Sequence, residues 1–141
     1  MPIENPATIS VRNGHGRCLL CGERNPCSLK LVFEADDEGG VKTRFQSHQG
    51  LQGYDDMLHG GVIASLLDAA MTHCLFHHGV QAVTGDLHVR FVNPVSGDAS
   101  LEIRAWVVSS RPPLYRLRAE IGQDQRIMAW AESKFIRRSA R

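Results

Sequence analysis

The chain has 141 residues, 43% of them hydrophobic and 22% charged, with a formal net charge of +1. That length fits one domain spanning residues 1–141 and able to bury a proper core. The near-zero charge gives no electrostatic case for nucleic acid, and no apolar run approaches the ~20 residues of a membrane span.

Residues 1–17 are polar and expected to be loosely ordered, and no apolar h-region marks a secretory signal there. A cytoplasmic protein with reduced thiols is therefore the expectation. Residues 29–34 alternate, with Leu29, Leu31 and Phe33 on one face. Asp36-Asp37-Glu38-Gly39-Gly40 reads as a turn, and residues 41–45 alternate again, completing a hairpin. Residues 47–57 form a loop rich in Gly, Gln and Asp. A helix-like segment follows from Leu58, with Ile63, Leu66, Leu67, Ala70 and Cys74 in one apolar stripe and Gly79 at its end. Four alternating segments come next, near residues 83–92, 101–108, 115–121 and 127–136, separated by Pro- and Gly-containing turns. The order β-β-α-β-β-β-β implies an α+β layout in which one long helix lies on an antiparallel sheet.

The helix carries the chemistry. It starts at His59-Gly60-Gly61, where Ser, Thr, Asp or Asn would be the usual cap. Glycines leave the first backbone N–H groups bare, and these donors sit at the positive end of the helix dipole. Such an end suits developing negative charge, for example an oxyanion formed when a thioester carbonyl is attacked. Asp68 lies off the apolar stripe and is the helix's acid. It follows His59 by nine residues, which is half a turn and roughly 13 Å along the axis. One helix cannot aim both ends at one small substrate atom. If both act at one reaction centre, the second comes from another copy of the chain, so a homodimer with composite sites is expected.

The four cysteines admit several readings. Cys18-Leu19-Leu20-Cys21 is a C-x-x-C with His15 ahead of it and Cys27 behind it, and these four residues invite a zinc knuckle. Cys27 is badly spaced for a second ligand pair, and a redox dithiol would want a helix after the first Cys, where a turn sequence follows instead. Structural thiols without metal are favoured, and Cys74 is expected in the core. His73, His77 and His78 cluster near the helix end, where positive charge suits the dipole better than a metal does.

These residues also carry a resemblance. Gln52-Gly53-Tyr54, then Leu58-His59-Gly60-Gly61, then Leu67-Asp68-Ala69-Ala70 resembles the loop, His-Gly-Gly and helix acid of hotdog-fold thioesterases of the phenylacetyl-CoA type. Thr84-Gly85-Asp86-Leu87-His88-Val89-Arg90-Phe91 through Pro94 and Gly97 is similar to that family's strand after the helix. The segment from Cys18 to Leu31 is similar to a Cys-x-x-Cys-Gly, Asn-Pro, Leu stretch ahead of the first strand in one group of these proteins. The resemblance implies a hotdog fold, one long central helix wrapped by a curled antiparallel sheet. It implies an acyl-CoA thioesterase that releases a free acid and a thiol without metal or redox cofactor, working as a homodimer or homotetramer. The Gly60 N–H would polarise the thioester carbonyl, and Asp68 from the other subunit would be nucleophile or general base. Thr84 would orient the attacking water, and His59 would contact substrate or shape the helix start. Gln52, Gly61 and Thr72 complete the expected substrate side. The family often places an amide where this chain has Gly53, and Gln52 is the nearest one.

Two other functions compete. An enoyl-thioester hydratase or dehydratase would resemble a pattern with a catalytic His and a Pro-Gly-rich turn, whereas His59 is followed by Gly-Gly. A non-catalytic acyl-CoA binding module would usually carry an attached DNA-binding domain, for which 141 residues leave no expected room.

Overall fold

The computed structural model describes residues 14–138. The expectation for residues 1–13 lies outside these, while His15 and Gly16 already accept backbone hydrogen bonds from Cys18 and Arg24 at 3.0 and 2.9 Å. The elements are β1 (Glu34–Ala35), β2 (Val41–Gln46), a 3-10 turn (Gln49–Leu51), α1 (Gly60–His77), β3 (Ala82–Phe91), β4 (Ser100–Arg111), β5 (Leu114–Gln123) and β6 (Arg126–Arg137). The strands form one antiparallel sheet in the order β1-β2-β4-β5-β6-β3, and α1 packs on one of its faces.

The expected helix stripe is buried throughout: Ile63, Leu66, Leu67, Ala70 and Cys74 are at most 4% exposed. Met71, His73 and Leu75 are buried as well, so the helix is enclosed on more than one side. Enclosure on several sides is what a sheet curled around a helix provides. Leu101, Ile103 and Ala105 of β4, Leu117, Ala119 and Ile121 of β5, and Ala129, Ala131 and Phe135 of β6 face it. Each fully buried Leu or Phe contributes about 1.5–3 kcal/mol by leaving water. Register shifts at Val107/Ser109, Ile121/Gly122 and Thr84/Asp86 interrupt the ladder, and such bulges bend a sheet and increase its twist.

Residues 29–34 are not the full strand that their alternation predicts. Leu31 and Phe33 are buried as expected, yet only Glu34–Ala35 pairs with β2. Lys30 has φ 57°, which breaks an extended strand, and the amides of Leu29 and Leu31 donate to the carbonyls of Leu19 and Leu20. The cysteine segment thus takes the backbone bonds that a longer β1 would have used. Trp106 and Trp130 lie on the outer face, away from the helix, and the Arg118 guanidinium sits 4.5 Å over the Trp130 ring.

β3 is an edge strand. Val83, Leu87 and Phe91 are 53%, 36% and 54% exposed, while Ala82 and Val89 pack against the core. In this single chain, α1 and the inner sheet face do not cover that edge.

Candidate active site

His59 is the cap of α1, with extended backbone at φ −61° and ψ 131°. Its Nδ1 accepts from the Gly61 N–H at 2.8 Å. The two glycines therefore do not leave both donors bare. The imidazole does the work of a Ser or Asp cap, which is a departure from the sequence expectation that both N–H groups are free. As the first helical residue, Gly60 has no acceptor within the helix, and its N–H is unpaired among the described residues. The Phe91 ring lies over it, 3.5 Å from where a Cβ would stand.

A cleft of about 670 Å³ opens at this helix end, lined by Tyr54, Met57, His59, Gly60, Phe91 and Pro94 among others. Gln52 and Gly61 are not among its lining residues. The Gln52 Oε1 accepts from the Asp56 N–H at 3.2 Å and so braces the loop before the helix. Gly53 does line the cleft, and a Cβ there would stand 3.4 Å from the His59 Cα.

Asp68 is two turns further along α1 and does not line the cleft. Its Oδ1 accepts from the Thr84 hydroxyl at 2.6 Å. Burial pushes its carboxyl above the usual carboxylate range, against the Thr84 hydrogen bond and the nearby His15, which both pull it down. Thr72 does not reach the carboxylate, because its hydroxyl donates to the Asp68 main-chain carbonyl at 3.0 Å. Asp68 and Thr84 are thus brought together, Gly60 and His59 are brought together, and the two pairs remain apart within one chain.

The bulge explains how Thr84 reaches Asp68. Thr84 pairs with Phe135 and Leu87 with Ser133, both on the buried side of β6, although 84 and 87 differ by an odd number. Gly85 is the extra residue that restores the parity. Simple alternation would have turned Thr84 away from the helix, and Gly85 is the sequence signal that marks the exception. Two placements had no signal in the sequence: Phe91 over Gly60, and His15 within electrostatic reach of Asp68.

The histidines at the far helix end divide differently from expectation. His73 is 1% exposed, stacks on Phe33 with ring centroids 4.6 Å apart, and has its pKa lowered by burial to about 4. It is a neutral core residue and cannot supply the positive charge proposed for helix capping. His78 is the C-cap residue, and its Nε2 lies 2.9 Å from the Gly39 carbonyl oxygen. Cys74 is fully buried, which holds its thiol up at about 12.

Among the described residues, a single α-helix wrapped by six antiparallel strands, with a glycine start and an internal acid, defines a hotdog thioesterase fold. The chain belongs to the thioesterase superfamily, whose family model matches residues 56–126. Its relatives include bovine (Bos taurus) acyl-coenzyme A thioesterase THEM4, 34% identical over 65 residues. That match covers 46% of this chain and 26% of the relative, so the chain spans about a quarter of that protein's length. Among solved structures, the E. coli PaaI protein from the phenylacetic acid degradation operon superposes with a TM-score of 0.73 at 22% identity, covering 79% of this chain and 82% of that one. A Streptococcus mutans protein, smu.793, solved bound to acetyl CoA, gives a TM-score of 0.72 at 17% identity, covering 79% and 90%. At these identities the structural likeness is one of fold. No helix is long and apolar enough to cross a membrane among the described residues.

Proposed function

We propose that this chain is an acyl-CoA thioesterase built as a homodimer or a pair of dimers, with Asp68 as base or nucleophile and the Gly60 N–H as oxyanion donor. The observation that carries the reading is the Asp68–Thr84 pair: a half-buried carboxylate of raised pKa, fixed by a hydroxyl 2.6 Å away. Perturbed carboxylates held by a specific partner mark functional sites more often than solvated helix acids do. As general base, Asp68 takes a proton from water while the water oxygen attacks the thioester carbonyl carbon. The charge that develops on the carbonyl oxygen meets the unpaired Gly60 N–H. The C–S bond then breaks, and the leaving thiolate takes a proton to give thiol and free acid. No metal or redox step is needed.

The second subunit follows from geometry. Gly60 and Asp68 share one helix and are separated by eight residues, about 12 Å of axial rise. The exposed β3 edge, with Val83, Leu87 and Phe91 uncovered and one side unpaired, supports a second copy there. Such a copy brings its own helix toward the first and can supply the missing half of each site. The acetyl-CoA-bound and acyl-CoA-named relatives support a coenzyme A thioester as substrate. The test is turnover of an acyl-CoA panel followed by free-thiol release, with Asp68→Asn alongside. Hydrolysis that falls by ~10²-fold or more in the variant is expected, the scale of losing a general base. Binding without turnover would favour the sensing module, and water addition to an enoyl thioester would favour the hydratase.

A further inference from the structure

We propose that His15 Nδ1, Cys18 Sγ and Cys21 Sγ form a zinc site, supplying three ligands among the described residues. In the fold their ligating atoms all lie within 4.8 Å of one another. The His15 Nδ1 and Cys21 Sγ are 3.7 Å apart. Tetrahedral zinc with Zn–S near 2.3 Å and Zn–N near 2.05 Å requires an S···N separation of about 3.6 Å, so the two atoms already stand at the spacing that a shared ion imposes.

The surrounding backbone is built to hold this spacing. The Cys18 N–H donates to the His15 carbonyl at 3.0 Å, and the Gly22 N–H donates to the Cys18 carbonyl at 2.8 Å. A Cβ on Gly22 would stand 2.4 Å from the Cys18 nitrogen, so only glycine permits the turn that folds Cys21 back toward Cys18. The Leu20 N–H points at the Cys18 Sγ from 3.4 Å. An amide aimed at sulfur stabilises a thiolate, and metal-bound cysteines draw on such donors. Two thiolates and a neutral imidazole balance a divalent ion, which lets the site sit against the apolar Phe76 ring, 4.9 Å from the His15 ring.

Cys27 was the weak point of a metal reading from sequence, because its spacing did not fit. The structure leaves Cys27 exposed, with its amide on the Asn25 side chain and its sulfur outside the cluster. The three remaining ligands stand without it. The site lies beside His73 and Phe76, about 20 Å along α1 from Gly60, and does not depend on the assignment of Asp68 or Gly60. Its physical role is to close the turn over residues 15–21, whose Leu19 and Leu20 carbonyls accept from the amides of Leu29 and Leu31.

The test uses the full chain, purified without a histidine tag, with bound metal counted by elemental analysis before and after zinc reconstitution. One zinc per chain is expected, retained in Cys27→Ser and lost in Cys18→Ser and His15→Ala. Cobalt exchange into the wild-type protein should give tetrahedral d–d bands and a thiolate-to-cobalt charge-transfer band. That readout needs no variant to fold. Zinc removal should lower the melting temperature of wild type and leave that of folded Cys18→Ser unchanged. Substoichiometric zinc after reconstitution, cobalt bands of oxygen ligation, or zinc loss in Cys27→Ser equal to that in Cys18→Ser would each overturn the assignment.

Discussion

Replacing Gly60 with proline is the sharpest probe of the proposed oxyanion donor, because the helix start accepts the ring without losing a hydrogen bond. Gly60 is the first residue of α1, so its N–H makes no helix hydrogen bond that proline would break. Proline is well accepted at that position, and its ring φ suits a helix start. The residue before a proline must be extended, and His59 already has φ −61° and ψ 131°. The His59-to-Gly61 cap bond is untouched. The Phe91 ring at 3.5 Å allows a Cβ in ordinary contact. Losing one oxyanion-hole donor costs about 3 kcal/mol, which is ~10²-fold in rate. We therefore expect kcat to fall by ~10²-fold in Gly60→Pro with little change in KM, because the donor acts on charge present only in the transition state. Gly60→Ala keeps the N–H and should stay close to wild type. Steady-state kinetics on an acyl-CoA substrate, with circular dichroism and thermal melts, decide the matter. A folded Gly60→Pro protein that keeps wild-type kcat would refute the role of this N–H.

Three further outcomes follow from the same geometry. Thr84→Val removes the hydroxyl that holds the Asp68 carboxyl down, so the acidic limb of kcat/KM should move to higher pH; a limb that stays in place would detach Thr84 from the titrating group. Asp68→Asn should melt at a higher temperature than wild type at neutral pH. Because the folded-state pKa of Asp68 is raised, its ionised form costs stability above that pKa, and the cost disappears as pH falls through it. The advantage of the variant should therefore shrink on acidification, and an advantage that grows would contradict the sign. Finally, mixing inactive Asp68→Asn and Gly60→Pro chains should restore activity toward half of wild type per heterodimer, since one of its two sites then carries both native groups. Heterodimers that form, from folded chains, without recovery would mean that Asp68 and Gly60 do not meet across the interface.

Local periodicity made much of this protein legible. The apolar stripe from Ile63 to Cys74, the alternation of Leu101 to Ala105 and of Leu117 to Ile121, and the glycine start followed by an acid are properties of residues near one another in the chain. So was the separation of Gly60 from Asp68, which is arithmetic on helix rise and turn. Tertiary structure decided which groups became partners. Residues 29–34 alternate like a strand, but the amides of Leu29 and Leu31 are bonded to the cysteine segment. Thr84 faces Asp68 only because Gly85 is bulged against β6. His73, one residue among three similar ones, is neutral because the folded chain buries it, with Phe33 from far along the chain stacked on its ring. A sequence pattern reports which faces avoid water, since that depends on a side chain and its helical or strand neighbours. Which donor meets which acceptor depends on where a distant segment comes back, and only the folded chain fixes those distances.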